Sequence, residues 1–173
     1  LSIKYVNMAD INLNNKLNKS DDQELFLKST ELLYFAYRDF IAWPDDILQT
    51  YGFGRAHHRV LFFVSQNPSM TVAELLKILS ITKQSLSRVL SALIDKGYIV
   101  QEIGEKDRRQ RLLNLTDKGK ELLAQVSEHQ KEQMLKALKV SGSDAVDGFW
   151  KVLTALINDD DRAEILELVF KNK

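Results

Sequence analysis

TVAELLKILSITKQSLSRVLSALIDKGYIVQEIGEKDRRQRLLNLTDKG, residues 71–119, is the stretch whose reading decides the fold. Thr71 followed at the third helical position by Glu74 is a capping box, so a short helix is expected over residues 71–78. Leu79, Ser80 and Ile81 form a turn. Thr82 caps a second helix that runs to Lys96 and stops at Gly97, where glycine supplies the terminating conformation. Residues 98–103 and 111–116 are rich in β-branched, aromatic and apolar side chains and read as two strands. The polar, turn-like residues 104–110 join them. Asp117 then opens a long helix reaching about Lys139.

Helix, turn, helix, paired strands with a cationic tip, helix: this order is the layout of a winged helix-turn-helix. In residues 82–96, Leu86, Val89, Leu90 and Leu93 recur at helical spacing and make the buried stripe. The opposite side carries Thr82, Lys83, Gln84, Ser85, Ser87, Arg88 and Ser91, with no carboxylate before Asp95. An ordinary solvated face mixes Glu with Lys. Hydroxyls, an amide and cations without acids are instead donors suited to phosphates and to base edges in a major groove. The strand-connecting tip gathers Lys106, Arg108 and Arg109, with Arg111 at the start of the returning strand. Guanidiniums so placed suit a narrow minor groove, where negative potential is concentrated. Asp107 stands beside them as a carboxylate able to hold one guanidinium extended. The plain alternative for the tip is a soluble hairpin with no ligand.

Working outward, Asp21, Asp22 and Glu24 suit a helix N-terminus. Leu25, Leu32, Leu33, Ala36, Phe40 and Ile41 continue the helical stripe, and Trp43-Pro44 is expected to end it, because a residue before proline is pushed out of helical geometry. Gly52, Phe53 and Gly54 mark a break before an apolar helix over residues 55–66, stopped by Asn67-Pro68. A break with a fresh cap is expected over residues 141–144, and a further one at Asn158, Asp159, Asp160 and Asp161. Residues 1–20 read as an N-terminal arm. The expected fold is mainly α with a small two- to three-stranded antiparallel wing. Residues 54–116 form the DNA-binding lobe, and residues 21–53 and 117–173 a helical dimerisation layer. Leu122, Leu123, Val126, Met134, Leu135 and Leu138, with Trp150 and Phe170, expose more apolar surface than a monomer tolerates, and a second subunit would cover them.

Composition narrows the function. The 173 residues carry 24 basic and 24 acidic side chains, a formal net charge of zero, so any nucleic-acid affinity must come from local charge. There is no cysteine, which removes thiolate nucleophiles, disulfides and Cys-ligated zinc. His57 and His58 are adjacent and do not share a helical face, so they do not make a metal site together. No apolar run approaches the roughly 20 residues of a membrane span, and no signal-peptide pattern is present, which reads as cytoplasmic. No phosphate-cradling loop or nucleophile–base arrangement points to an enzyme, and nothing asks for a cofactor.

Residues 107–119, DRRQRLLNLTDKG, resemble the wing signature of MarR-type regulators: Asp, then Arg, a strand ending in Leu-Thr, and a helix with an early Gly. Residues 71–99 are similar to that family's helix-turn-helix, and YGFGRAHHRVL, residues 51–61, to its entry helix. The resemblance implies a homodimer that binds inverted-repeat double-stranded DNA, acts as a repressor, and is often released by a small-molecule effector. It places the start of the recognition helix at Thr82 and the wing arginine at Arg109, oriented by Asp107. Tyr37, Trp43, His57, His58 and Phe62 are the candidate effector pocket. The chain departs from the pattern at Ser80, where Gly is usual and positive φ is needed, at Gly54 in place of a Ser or Thr cap, and at His57, His58 and Arg59. Two other readings stay open: a winged-helix protein-interaction module, and a constitutive regulator blind to ligands.

Overall fold

The computed structural model describes residues 19–104 and 108–171. All of the N-terminal arm before Lys19, and Lys106 and Asp107 of the wing tip, lie outside the described residues. Among the described residues seven helices and three strands follow in order: α1 (Lys19–Thr50), α2 (Arg55–Gln66), β1 (Met70–Thr71), α3 (Val72–Leu79), α4 (Lys83–Asp95), β2 (Ile99–Ile103), β3 (Arg111–Leu115), α5 (Asp117–Ser141), α6 (Ser143–Leu156) and α7 (Asp159–Phe170). The chain is mainly helical with a small antiparallel sheet ordered β1-β3-β2. Met70 pairs with Leu113 on one side of β3, and Ile99 with Leu115 on the other.

The first helix does not end at Trp43-Pro44. It continues to Thr50 with Pro44 inside it. An internal proline costs a helix about 3 kcal/mol, because it gives up an N–H and crowds the preceding turn. Here burial offsets that cost. The Pro44 side chain is fully buried, and the turn beyond it delivers Leu48, also fully buried, into the core with Ile47 packed beside it. Each such aliphatic side chain contributes about 1.5–3 kcal/mol on burial. Residue contacts divide the chain between Ala42 and Trp43, close to the proline.

From Trp43 onward one apolar cluster organises the helix-turn-helix and its sheet. Val60, Leu61 and Val64 of α2 meet Leu86, Leu90 and Leu93 of α4, with Leu75 of α3 and Leu113 of β3. The amino-terminal half of α5 belongs to this core. Leu122, Leu123 and Val126 are buried within their own chain. The expectation that these three need a second subunit is therefore corrected. Apolar side chains that stay exposed lie further along, among them Leu135, Val140, Phe149, Trp150, Val152, Leu156, Val169 and Phe170, and on α1. Only Gly142, at φ 80°, separates α5 from α6, and it supplies no side-chain cap, so the expected four-residue break with a fresh cap is a single-residue corner. Among the described residues no helix is long and apolar enough to cross a membrane.

Candidate nucleic-acid interface

Local chemistry sets the helix-turn-helix. Thr71 Oγ1 accepts from the Glu74 N–H at 3.2 Å, while the Thr71 N–H donates to the Glu74 carboxylate at 2.7 Å, closing the capping box at the start of α3. The turn after α3 needs one left-handed residue, and Ser80 provides it at φ 49°, ψ 44°, in the region where a side chain normally adds strain. Its N–H closes the helix on the Leu76 carbonyl at 3.1 Å. Thr82 then caps α4, its Oγ1 accepting from the Ser85 N–H at 3.2 Å and donating to the Ser85 hydroxyl at 2.9 Å.

The apolar stripe of α4 faces the core, and the polar face is wholly solvent-exposed: Thr82, Lys83, Gln84, Ser85, Ser87 and Arg88 all lie on it. They divide into two kinds. Thr82 and Ser85 are tied into the cap. Lys83, Gln84, Ser87 and Arg88 make no hydrogen bond or ion pair to another described residue, so their donors are available to a ligand.

The wing is a β2–β3 ladder of five residue pairs, closed near its tip by the Gly104 N–H on the Gln110 carbonyl at 3.2 Å. Arg108 and Arg109 are exposed at the tip. Arg111 is exposed beside them. Its Nη1 turns back and donates to the carbonyls of Arg108, at 2.9 Å, and Gln110, at 3.2 Å, bracing the tip from behind. Asn114 was passed over in the sequence, yet it ties the sheet together. Its Oδ1 accepts from the Ser69 N–H at 2.8 Å, and its Nδ2 donates to Glu102 at 3.2 Å. Strand β1 was missed as well, since two residues carry no periodicity to detect.

The five residues expected to line an effector pocket face separate neighbours. His57 stacks on Phe53, with centroids 4.7 Å apart, and its Nδ1 accepts from the Gly54 N–H at 3.1 Å, replacing the missing side-chain cap of α2. Trp43 packs on His129 at 4.9 Å, and Phe62 meets Phe63 edge-on at 5.3 Å. Tyr37 is exposed on the part of α1 that precedes Ala42. His58 lies beside Asp45, and both His58 Nε2 and Asp45 Oδ1 are buried without a hydrogen-bond partner among the described residues. Burial pulls the His58 imidazole below its ordinary range, and the Asp45 carboxylate partly opposes this. Burial likewise lowers His57, reinforced by nearby Lys96. Asp45 Oδ2 takes the Arg55 guanidinium, at 2.6 Å from Nη2 and 3.2 Å from Nε. An open cavity of about 410 Å³ lies here, lined by Asp45, Asp46, Gln49, Phe53, Gly54 and Arg55. A second, of about 620 Å³, sits between α6 and α7 around Trp150 and Arg162. No group of three or more potential metal ligands exists among the described residues.

A profile described as MarR family matches residues 51–110, the entry helix through the wing tip. HTH-type transcriptional regulator PetP of Rhodobacter capsulatus is 44% identical over 135 residues, which cover 78% of this chain and 81% of that one. The chain belongs to the MarR family. It is a transcriptional regulator of MarR type and not an enzyme. Among solved structures, this MarR-family chain is similar to Streptococcus pneumoniae FabT in complex with DNA (TM-score 0.67, 22% identity, covering 76% of this chain and 94% of that one). It is also similar to a mutant of E. coli MarR complexed with operator DNA (TM-score 0.58, 21% identity, 77% and 96%). At those identities the likeness concerns the fold.

Proposed function

We propose that this MarR-family protein works as a symmetric dimer that binds a palindromic DNA operator and represses the genes behind it. One observation carries the reading. The exposed face of α4 presents Lys83, Gln84, Ser87 and Arg88 with uncommitted donors, and no acid stands on α4 before Asp95. Such a face is matched to a major groove, where paired donors on Arg and Gln read guanine and adenine. Arg108 and Arg109 would reach the flanking minor groove or its phosphates, with Arg111 bracing them. Two proteins of the same fold, FabT and a mutant of MarR, have been solved in complex with DNA and with operator DNA.

The dimer rests on uncovered apolar surface. On α1, Phe26, Leu32 and Tyr34 are each more than 60% exposed, and Val152, Leu156 and Phe170 are similarly open on α6 and α7. Large exposed apolar patches are uncommon on a monomer. A two-fold pair would set two reading helices about one DNA turn, roughly 34 Å, apart. Residues 54–116 then act as the reading lobe, and the long helices as the dimer layer. Repression needs only occupancy of the operator. Release by a small-molecule effector would use the opening beside Asp45 and Arg55, which is lined on one side by an aromatic ring and on the other by charge.

The test is anisotropy titration of a labelled duplex from the protein's own upstream region, against a scrambled duplex, over a range of salt. Arg109→Ala is expected to weaken binding to both duplexes and to reduce the salt slope by about 1, as for a lost phosphate or groove cation. Gln84→Ala or Arg88→Ala is expected to cost about 1–3 kcal/mol on the operator and to relax base preference. Unchanged base preference in the double variant would remove α4 from the groove. A monomer by light scattering would remove the two-fold.

A further inference from the structure

The carboxyl end of α4 is held by two lysines that the reading face does not use. Lys96 is the residue on which α4 ends, and Gly97 follows at φ 75°. Lys96 Nζ donates to the Tyr51 carbonyl at 2.9 Å and lies 4.6 Å from the centre of the Phe53 ring. Lys118, in the first turn of α5, donates through Nζ to the Lys96 carbonyl at 2.8 Å and lies 4.3 Å from the centre of the Tyr98 ring. The two rings meet edge-on at 5.1 Å. The circuit closes: Lys96, Phe53, Tyr98, Lys118, and back to the Lys96 backbone. The Lys118 ammonium sits at the negative end of the α4 dipole, where cations are favoured. Two cation–ring contacts add to two charge-assisted hydrogen bonds.

We propose that Lys96 and Lys118 are positioning residues that fix the pose of the reading helix on DNA by clasping its far end to the α1–α2 turn and to α5. The proposal rests on the DNA-reading function assigned above to α4. Neither lysine is a phosphate ligand in this arrangement. The 13-residue helix α4 runs from Lys83 to the residue before Lys96, about 20 Å of rise, and both ammonium groups are already bound to carbonyls. Their effect is on direction. Bidentate contacts to base edges demand a narrow geometry, whereas contacts to phosphates tolerate tilt. A loosened clasp should therefore cost specific binding and spare non-specific binding. Phe53 also lines the 410 Å³ cavity, so the clasp connects that opening to the end of the reading helix.

The experiment uses a duplex that the wild-type protein selects from a random pool, with a scrambled duplex of equal length and composition as reference. Lys96→Met keeps the aliphatic stem and removes the charge and the donor. It is expected to lose about tenfold on the selected duplex, with the scrambled duplex and both salt slopes unchanged, and Lys96→Arg should restore affinity. Lys118→Met and Lys118→Arg provide a second, independent pair, and far-UV circular dichroism checks each fold at the assay temperature. Wild-type affinity in both Met variants overturns the proposal. So does equal weakening on the two duplexes with a flatter salt slope, which would make the lysines phosphate contacts. Failure of the Arg variants to restore binding also overturns it, because the charge would then be irrelevant. If the wild-type protein selects no sequence at all, the DNA-reading function itself fails, a separate result.

Discussion

Gly119→Ala is expected to destabilise the protein although alanine is the better helix former. In an unconstrained helix interior the change would gain about 0.5–1 kcal/mol. At Gly119 a Cβ would lie 2.1 Å from the carbonyl oxygen of Tyr98 and 3.1 Å from its carbon. That is more than about 1 Å inside ordinary non-bonded contact. The obstacle is backbone, so no side chain can swing away. Either the start of α5 or the α4–β2 junction must move. The same few atoms hold that junction. The Thr116 N–H and Oγ1 both donate to the Tyr98 carbonyl, at 3.1 and 3.2 Å, Thr116 Oγ1 also reaches the Gly97 carbonyl at 2.7 Å, and the Gly119 N–H caps on Thr116 Oγ1 at 3.1 Å. Losing the cap costs about 1 kcal/mol and each hydrogen bond about 1 more. Net of helix propensity, a destabilisation of about 2–4 kcal/mol is expected. For a chain of this length that lowers Tm by about 5–12 °C. Thermal melts followed by circular dichroism at one fixed protein concentration measure it, since an oligomer's Tm depends on concentration. Gly148→Ala is the matched control. Gly148 lies inside α6 with nothing within 4 Å of the added methyl, so its Tm should rise by a few degrees. A Tm for Gly119→Ala equal to or above wild type would refute the reasoning.

Ser80→Gly is expected to stabilise the chain by about 0.5 kcal/mol, because Ser80 sits at φ 49° where glycine carries no Cβ penalty. A urea midpoint that rises at constant slope checks this, and a lower midpoint would show the turn relies on the serine side chain. Acidification should weaken the fold through His57 and His58. Both are held below their ordinary pKa in the folded chain, so the unfolded chain takes up protons first, near pH 6.5. Stability present above about pH 6.5 is then lost as the pH falls through and below that value. In melts at about pH 7.5 and 5.5 the drop in Tm should be smaller for His58→Gln than for wild type. An equal drop would mean that carboxylates elsewhere carry the acid sensitivity.

The elements that could be read directly from the sequence are those whose cause is local. Thr71 with Glu74 and Thr82 with Ser85 are caps whose partners lie three residues away, so both helix starts were visible in the chain itself. Ser80 in place of Gly implies either modest strain or a slightly different turn, and the chain keeps the turn with Ser80 at positive φ. The exposed face of α4 followed from a 3.6-residue period. Local rules misled where a distant contact outweighed them. Pro44 should stop a helix by its own stereochemistry, but its buried ring and Leu48 carry α1 on to Thr50.

Tertiary structure alone decided which charges are free to meet a ligand and which are engaged by the fold. Arg88 and Arg111 look equivalent as letters and both are exposed, yet Arg88 has no partner among the described residues while Arg111 Nη1 donates to the carbonyls of Arg108 and Gln110. Lys96 and Lys118 occur in two identical Asp-Lys-Gly tripeptides 22 residues apart, and nothing in either tripeptide announces that the lysines belong to one clasp. Leu122, Leu123 and Val126 read as an unpartnered stripe until the lobe folds over them. A cap or a helical period is set by neighbours a few bonds away. The partner of a long cationic or apolar side chain is set by whatever the folded chain brings within reach.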